Sequence, residues 1–293
     1  MNVIMLLSVS ILFAVTNNLL LHGINNKWFR GMGDTLFFNA LVSVVWLAIL
    51  LILNKGIKMS TQSWLWGIGY GSIMSAFLLC KMQAMATGPV SVTSFIGCSS
   101  LIISTAFGVL FFHEKVSILQ IAGVACLILA LFLTVFKSEK KPAEKTEKTW
   151  FLWCSLFFIC SGVTGIVFKL HQASRARDEI NQMMLAAAIT SIVLFFILSL
   201  IIQRKKDKTF PRISSPACIF VIACGIVSCG YNRLNIGLSG MIPSIVFFPV
   251  FNGSVIFLAS LFAAILFREK ITKRQMTGII IGVTALLMTS GGV

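Results

Sequence analysis

Ten blocks of apolar residues, each broken by only a few polar positions, follow one another at approximately 2–22, 34–54, 63–87, 90–112, 118–136, 150–171, 181–203, 216–239, 244–266 and 271–290. A hydrocarbon core about 30 Å thick takes roughly 20 residues of helix to cross, so each block predicts one transmembrane helix. The stretches between blocks are short. The exception is KSEKKPAEKTEKTW at 137–150, whose Lys, Glu and Pro content reads as a solvated, flexible linker.

The fifth and tenth blocks are approached in the same way. FHEKVSILQIAGVACLILALFLTV, from Phe112, and FREKITKRQMTGIIIGVTALLMTS, from Phe267, place Glu114 and Glu269 in register 155 residues apart. Each copy reads helix end, Glu-Lys, a capping box and a glycine-bearing apolar run. In the box a hydroxyl and an amide oxygen satisfy free N–H groups where a helix begins. The chain is an internal duplication: a first five-helix repeat over 1–137, a charged linker over 138–149 and a second five-helix repeat over 150–293. So long a period excludes a solenoid built from units of about 20 to 50 residues. Five is odd, so the second copy enters the membrane from the opposite side. The expected fold is therefore an all-α membrane protein, with ten transmembrane helices in two inverted five-helix repeats. Inverted repeats are the usual construction of secondary transporters, because two near-equal halves can open a shared site to either side in turn.

Composition narrows the class further. With 57% hydrophobic and 11% charged residues, the chain departs from soluble proteins, in which about a quarter of residues are charged. A net charge of +15 would suggest nucleic acid in a soluble protein; here most Lys and Arg lie in loops, and the expected partners are the lipid bilayer and a small-molecule substrate, with no nucleic acid. Sixteen Lys and Arg fall in the loops after helices 1, 3, 5, 7 and 9, counting Lys273 and Arg274 at the start of the tenth block, against five after helices 2, 4, 6 and 8. The positive-inside rule then puts the first set in the cytoplasm and both termini outside. The first block starts at Asn2 without a basic leader or a cleavage pattern, which predicts a retained helix. The eight cysteines lie within predicted helices without paired spacing, so neither a disulfide framework nor a metal site is expected, and no cofactor.

A five-helix unit that ends in Glu-Lys, Ser or Thr, Gln and Gly before an apolar run, present twice, resembles the EamA-like branch of the drug/metabolite transporter superfamily. The matching positions are Glu114, Lys115, Ser117, Gln120 and Gly123, then Glu269, Lys270, Thr272, Gln275 and Gly278. Read physically, these are architectural: the boxes cap helices, the two Glu-Lys pairs sit at membrane-surface turns as anchors, and Gly278 with Gly282 forms a GxxxG suited to an internal contact or to a homodimer. The chain departs from the family where a proline often interrupts the fourth helix of each repeat; Leu101 and Ile256 stand there. The resemblance implies transport rather than catalysis, with a cavity lined mainly by helices 1, 3, 4, 6, 8 and 9.

Those helices carry most of the intramembrane polar residues. Lys81 precedes Thr87 by six residues and Arg233 precedes Ser239 by six, which sets each about 9 Å inside its helix end at 1.5 Å per residue. A cation at the bilayer centre costs about 2.5–3.5 kcal/mol on insertion scales, so such groups face a cavity or a partner, or else snorkel to the surface. In helix 8, Ser228, Tyr231, Asn232, Asn235 and Ser239 share one stripe, suited either to a polar lining or to interhelical hydrogen bonds. Asn18 in helix 1, Ser94 in helix 4 and Asn252 in helix 9 complete the candidate substrate-binding set with Lys81, Arg233, Tyr231, Asn232 and Asn235. Thr164 and Lys169 are further polar positions in helix 6. All nine acidic residues lie in loops or at helix ends, which disfavours a lipophilic cation as cargo and suits an anionic or zwitterionic metabolite. His22 and His171 end helices 1 and 6, at the interface. The expected activity is alternating-access transport of an amino acid or similar carboxylate; a lipid or lipid-linked sugar flippase of the same fold is the alternative. A membrane enzyme is disfavoured by the lack of an intramembrane carboxylate pair, histidine cluster or phosphate-cradling loop.

Overall fold

A computed structural model describes residues 2–24, 31–54, 59–135, 149–204, 215–266 and 272–290. Most of the linker, the basic loops at 25–30, 55–58 and 205–214, and the turn holding Glu269 and Lys270 lie outside the described residues. What is described is helical: α1 (Val3–Ile24), α2 (Met32–Asn54), α3 (Thr61–Thr87), α4 (Val90–Ser99), α5 (Leu101–Phe112), α6 (Ile118–Val135), α7 (Trp150–Ala173), α8 (Ile180–Arg204), α9 (Ser215–Met241), α10 (Ser244–Leu266) and α11 (Lys273–Ser290). Nine spans among the described residues are long and apolar enough to cross a membrane, α4 and α5 forming one of them as Val92–Phe112. The tenth, α11, opens on Lys273, Arg274 and Gln275, whose polarity dilutes its 18 residues.

One predicted element is corrected. The fourth block, expected as a single helix, breaks at Ser100 without a proline. The Ser100 amide donates to the Gly97 carbonyl at 3.3 Å, three residues back rather than four, and the Ser100 hydroxyl lies 2.7 Å from the same carbonyl and 2.6 Å from the Ser161 hydroxyl. A serine side chain competing for helix carbonyls bends the backbone in proline's place. In the second repeat α10 runs unbroken with Pro249 inside it.

Both capping boxes form. The Ser117 amide donates to Gln120 Oε1 at 3.0 Å and the Gln120 amide to Ser117 Oγ at 3.2 Å; Thr272 and Gln275 repeat both bonds at the same distances.

The helices sort into two compact units, and neither is a sequence half. The first comprises Met1–Ser75 with His171–Gly237, the second Ala76–Leu170 with Leu238–Val293. In the second unit α6 lies against α11, and the contact is reciprocal. A Cβ on Gly123 would stand 2.8 Å from Thr289 Cγ2 and 3.1 Å from the Ala285 carbonyl, while one on Gly278 would stand 2.5 Å from Thr134 Oγ1 and 2.9 Å from Leu133 Cβ. Gly123 and Gly278 are 155 residues apart, as are Thr134 and Thr289. The start of each helix therefore meets the end of its counterpart, which is an antiparallel pairing of equivalents and the geometric signature of inversion. Gly282, the other half of the GxxxG, packs against the Phe257 ring, so both glycines serve internal contacts. Lipid tails are as apolar as side chains, and close backbone approach at small residues is what holds such pairs.

In the first unit α2 packs on α8 in the same sense: Ser199 Oγ near the end of α8 donates to the Gly33 carbonyl at the start of α2, at 2.8 Å. Gly71 of α3 approaches the α8 backbone so closely that a Cβ would lie 2.6 Å from the Ala187 carbonyl. The connection before α8 is fastened by Glu179, whose Oε2 accepts from the Ser60 amide at 3.2 Å, from Ser60 Oγ at 2.7 Å and from Ser63 Oγ, at the first turn of α3. The Ser60 and then the Ser63 hydroxyl hold this carboxyl below the usual carboxylate range, with burial opposing. A depressed folded-state value means the contribution is complete above the unfolded value of about 4.3 and is lost as pH falls through the lower folded one. Amide exchange over residues 60–64, followed from pH 6 to pH 3, is expected to slow in the wild type by less than the falling base catalysis alone dictates, an excess that marks lost protection. Glu179→Gln should flatten that excess.

Candidate functional site

The eight candidate residues fall into two groups, one in each unit. In the first unit, α9 presents its polar stripe to three different helices. Asn235 Oδ1 accepts from Ser10 Oγ of α1 at 2.7 Å, Asn232 Oδ1 accepts from the Tyr70 hydroxyl of α3 at 2.7 Å, and Ser228 Oγ accepts from Trp46 Nε1 of α2 at 2.8 Å. Asn232 Nδ2 turns back to the Ser228 carbonyl at 2.9 Å. Asn232 and Asn235 are each 4% exposed, and Ser10 and Tyr70 are fully enclosed. Of the two uses open to this stripe, interhelical hydrogen bonding is the one these distances display. Tyr231 is half-buried on the same helix, and its carbonyl lies 3.4 Å from Ser10 Oγ.

Arg233 points elsewhere, as the helical angle requires. It is exposed, and its Nε donates to Asn181 Oδ1 at the start of α8, at 2.6 Å. On α1, Asn17 is buried and Asn18 exposed, so the two neighbours serve different surroundings. His171, near the end of α7, is fully enclosed by protein, edge-on to Trp66 with ring centroids 6.4 Å apart. Its Nδ1 lies 3.3 Å from Gln172 Nε2, and its Nε2 has no hydrogen-bond partner among the described residues. The side chain of His22 lies outside the described residues.

In the second unit the groups are Lys81 on α3, Ser94 on α4 and Asn252 on α10, all half-buried. Asn252 Nδ2 donates to the Phe248 carbonyl at 2.9 Å, a bond within its own helix. Lys81 is different in kind. No carboxylate pairs with it among the described residues. It is a half-buried amine held within a helical span, without a counter-charge among the described residues.

The residue whose role the sequence understates is Glu114. It is more than a surface anchor: its carboxylate Oε1 lies 2.6 Å from Lys169 Nζ, and its Oε2 accepts from the Ser244 amide at 2.6 Å. Lys169, read as one more polar position of helix 6, is thereby neutralised, unlike Lys81. Pro243 followed by Ser244 marks a helix start that needs an acceptor, and this was the available clue.

Compared with known families, residues 2–136 and again residues 148–291 match the EamA-like transporter family. No curated protein matches the chain. A solved crystal structure, described in print only as that of a protein, superposes with a TM-score of 0.74 at 11% identity, covering 98% of this chain and 95% of the other. At that identity the likeness speaks for the fold alone.

Proposed function

Because the chain belongs to the EamA-like transporter family, we propose that it moves a small anionic or zwitterionic metabolite, an amino acid or related carboxylate, across a bacterial plasma membrane by alternating access. The observation that carries this reading is Lys81. A cation within a helical span is retained against its desolvation cost when it serves cargo or a fixed partner, and among the described residues no carboxylate pairs with Lys81. A substrate carboxylate would supply the missing charge and a charge-assisted hydrogen bond. Ser94 and Asn252, in the same compact unit as Lys81, are the neutral polar groups that complete recognition there; Arg233, exposed and already bonded to Asn181, is a separate cation of the other unit. Both termini face outward on the charge count, which a cytoplasm-dependent reporter fused after Val293 tests by remaining silent.

Anything that binds the folded state raises its apparent stability by an amount set by concentration over Kd. Thermal unfolding of the detergent-solubilised protein is therefore measured against matched sets of amino acids, dicarboxylates, amines, neutral amides and lipid-linked sugars. Stabilisation by members of the carboxylate sets alone is expected. Stabilisation confined to amines would overturn the reading, and stabilisation confined to lipid-linked sugars would move it to a flippase.

A further inference from the structure

The connection after α5 turns sharply at His113, which takes the left-handed conformation with φ 51°. The following residue, Glu114, then meets the beginning of α10 and the end of α7. Ser244 donates to it twice, through its amide to Oε2 at 2.6 Å and through its hydroxyl to Oε1 at 3.1 Å, so the carboxylate caps the positive end of α10. Lys169 near the end of α7 pairs with Oε1 at 2.6 Å, with each side chain 12% exposed. The same ammonium donates to the Ile242 carbonyl at 3.3 Å and stands 5.7 Å from the centroid of the Phe112 ring. Gly108 of α5 makes the junction possible, since a Cβ there would collide with the Ser244 side chain.

We propose that the Glu114–Lys169 pair is an access latch, closed in this structure and opened during the transport cycle. A buried ion pair that serves only architecture strands a charge when it opens, and that penalty keeps it shut. This pair is provided for on both sides. Without Lys169, Glu114 keeps both Ser244 donors; without Glu114, Lys169 keeps the Ile242 carbonyl and the face of Phe112. Opening therefore costs the Coulombic attraction without orphaning either group, which makes the pair reversible. Its location suits the part. Lys169 is the penultimate residue of the Ala76–Leu170 segment and Ile242 lies in the first turns of Leu238–Val293, close to where α7 and α9 leave the second unit. The α5 segment that the latch fastens is linked onward: Ser104 Oγ donates to the Gly162 carbonyl of α7 at 2.7 Å, and the break at Ser100 separates α5 from the α4 turn that carries Cys98.

The test reads Cys98, half-buried in α4, with Cys218, exposed at the start of α9, as the control. The full-length protein in sealed vesicles is treated with a membrane-impermeant maleimide, and modification of each cysteine is followed by peptide mass spectrometry. Lys169→Met and Glu114→Gln are expected to raise the Cys98 rate at least threefold while leaving Cys218 unchanged, and Lys169→Arg should keep the wild-type rate. An unchanged or lower Cys98 rate in the charge-removing variants overturns the latch. A parallel rise at both cysteines also overturns it, because that is general loosening. Should Lys169→Met fail to fold, Glu114→Gln decides alone, since its amide oxygen still accepts from Ser244. The readout needs no substrate, so the latch can fail while the carboxylate reading stands, and the reverse.

Discussion

Lys81→Met is expected to abolish the carboxylate-dependent stabilisation of the wild-type protein while leaving its unliganded melting temperature nearly unchanged. Hydrogen bonds to charged groups contribute about 1.5–3 kcal/mol, so affinity for a carboxylate should fall roughly 10- to 150-fold, at 1.4 kcal/mol per decade. Methionine keeps the length of the side chain and removes only the ammonium. No carboxylate among the described residues is left unpaired by the change, which is why stability should survive it. Lys81→Arg preserves charge and should lose far less. Arg233→Ala, at an exposed group already satisfied by Asn181, should weaken binding severalfold at most. Titrating the best carboxylate from the thermal panel into each variant measures all three, and equal affinity in wild type and Lys81→Met would withdraw the anion site.

The second large effect is on folding. Gly123→Leu and Gly278→Leu should each prevent accumulation of folded protein, and the corresponding alanine variants should each cost about 1–3 kcal/mol, the usual penalty for overpacking. At both positions the atoms a Cβ would meet include backbone, the Thr289 amide at 3.0 Å and the Thr134 amide at 2.9 Å, so no side-chain rotation relieves the clash. The two sites lie at opposite ends of one helix pair, and distant sites add. The double alanine variant should therefore lose the sum, measured as the shift in thermal unfolding against each single variant. A double variant no worse than either single one would mean that the pairing is not built from two equivalent contacts.

Architecture was legible in the sequence because hydrophobic blocks, capping boxes and repeated glycines are local features that act where they stand. Ser117 with Gln120 and Thr272 with Gln275 needed nothing beyond four consecutive residues to be read. The break at Ser100 was not legible, since it depends on Ser161, 61 residues away, reaching the same hydroxyl. The polar stripe of α9 illustrates the same limit. Its periodicity is plain in the sequence, but whether Asn232 and Asn235 face water or a neighbouring helix is decided by Tyr70 and Ser10, whose roles no spacing reveals. Glu114 was seen and undervalued, because a Glu-Lys neighbour pair suggests a local anchor while the lysine that engages it is Lys169, not Lys115.

The reciprocal packing of α6 on α11 also constrains how the protein is made. Synthesis proceeds from the N-terminus at about 5–20 residues per second. The glycine face of α6 is therefore complete and in the bilayer for several seconds before the ribosome has translated Thr289, the residue that will cover it. For a shorter time α2 likewise waits for α8, and the second compact unit is the last to receive all its helices. The first half must persist as a membrane-inserted intermediate whose small-residue surfaces are open to any passing helix, and it is released from that exposure only when the last helix of the chain arrives.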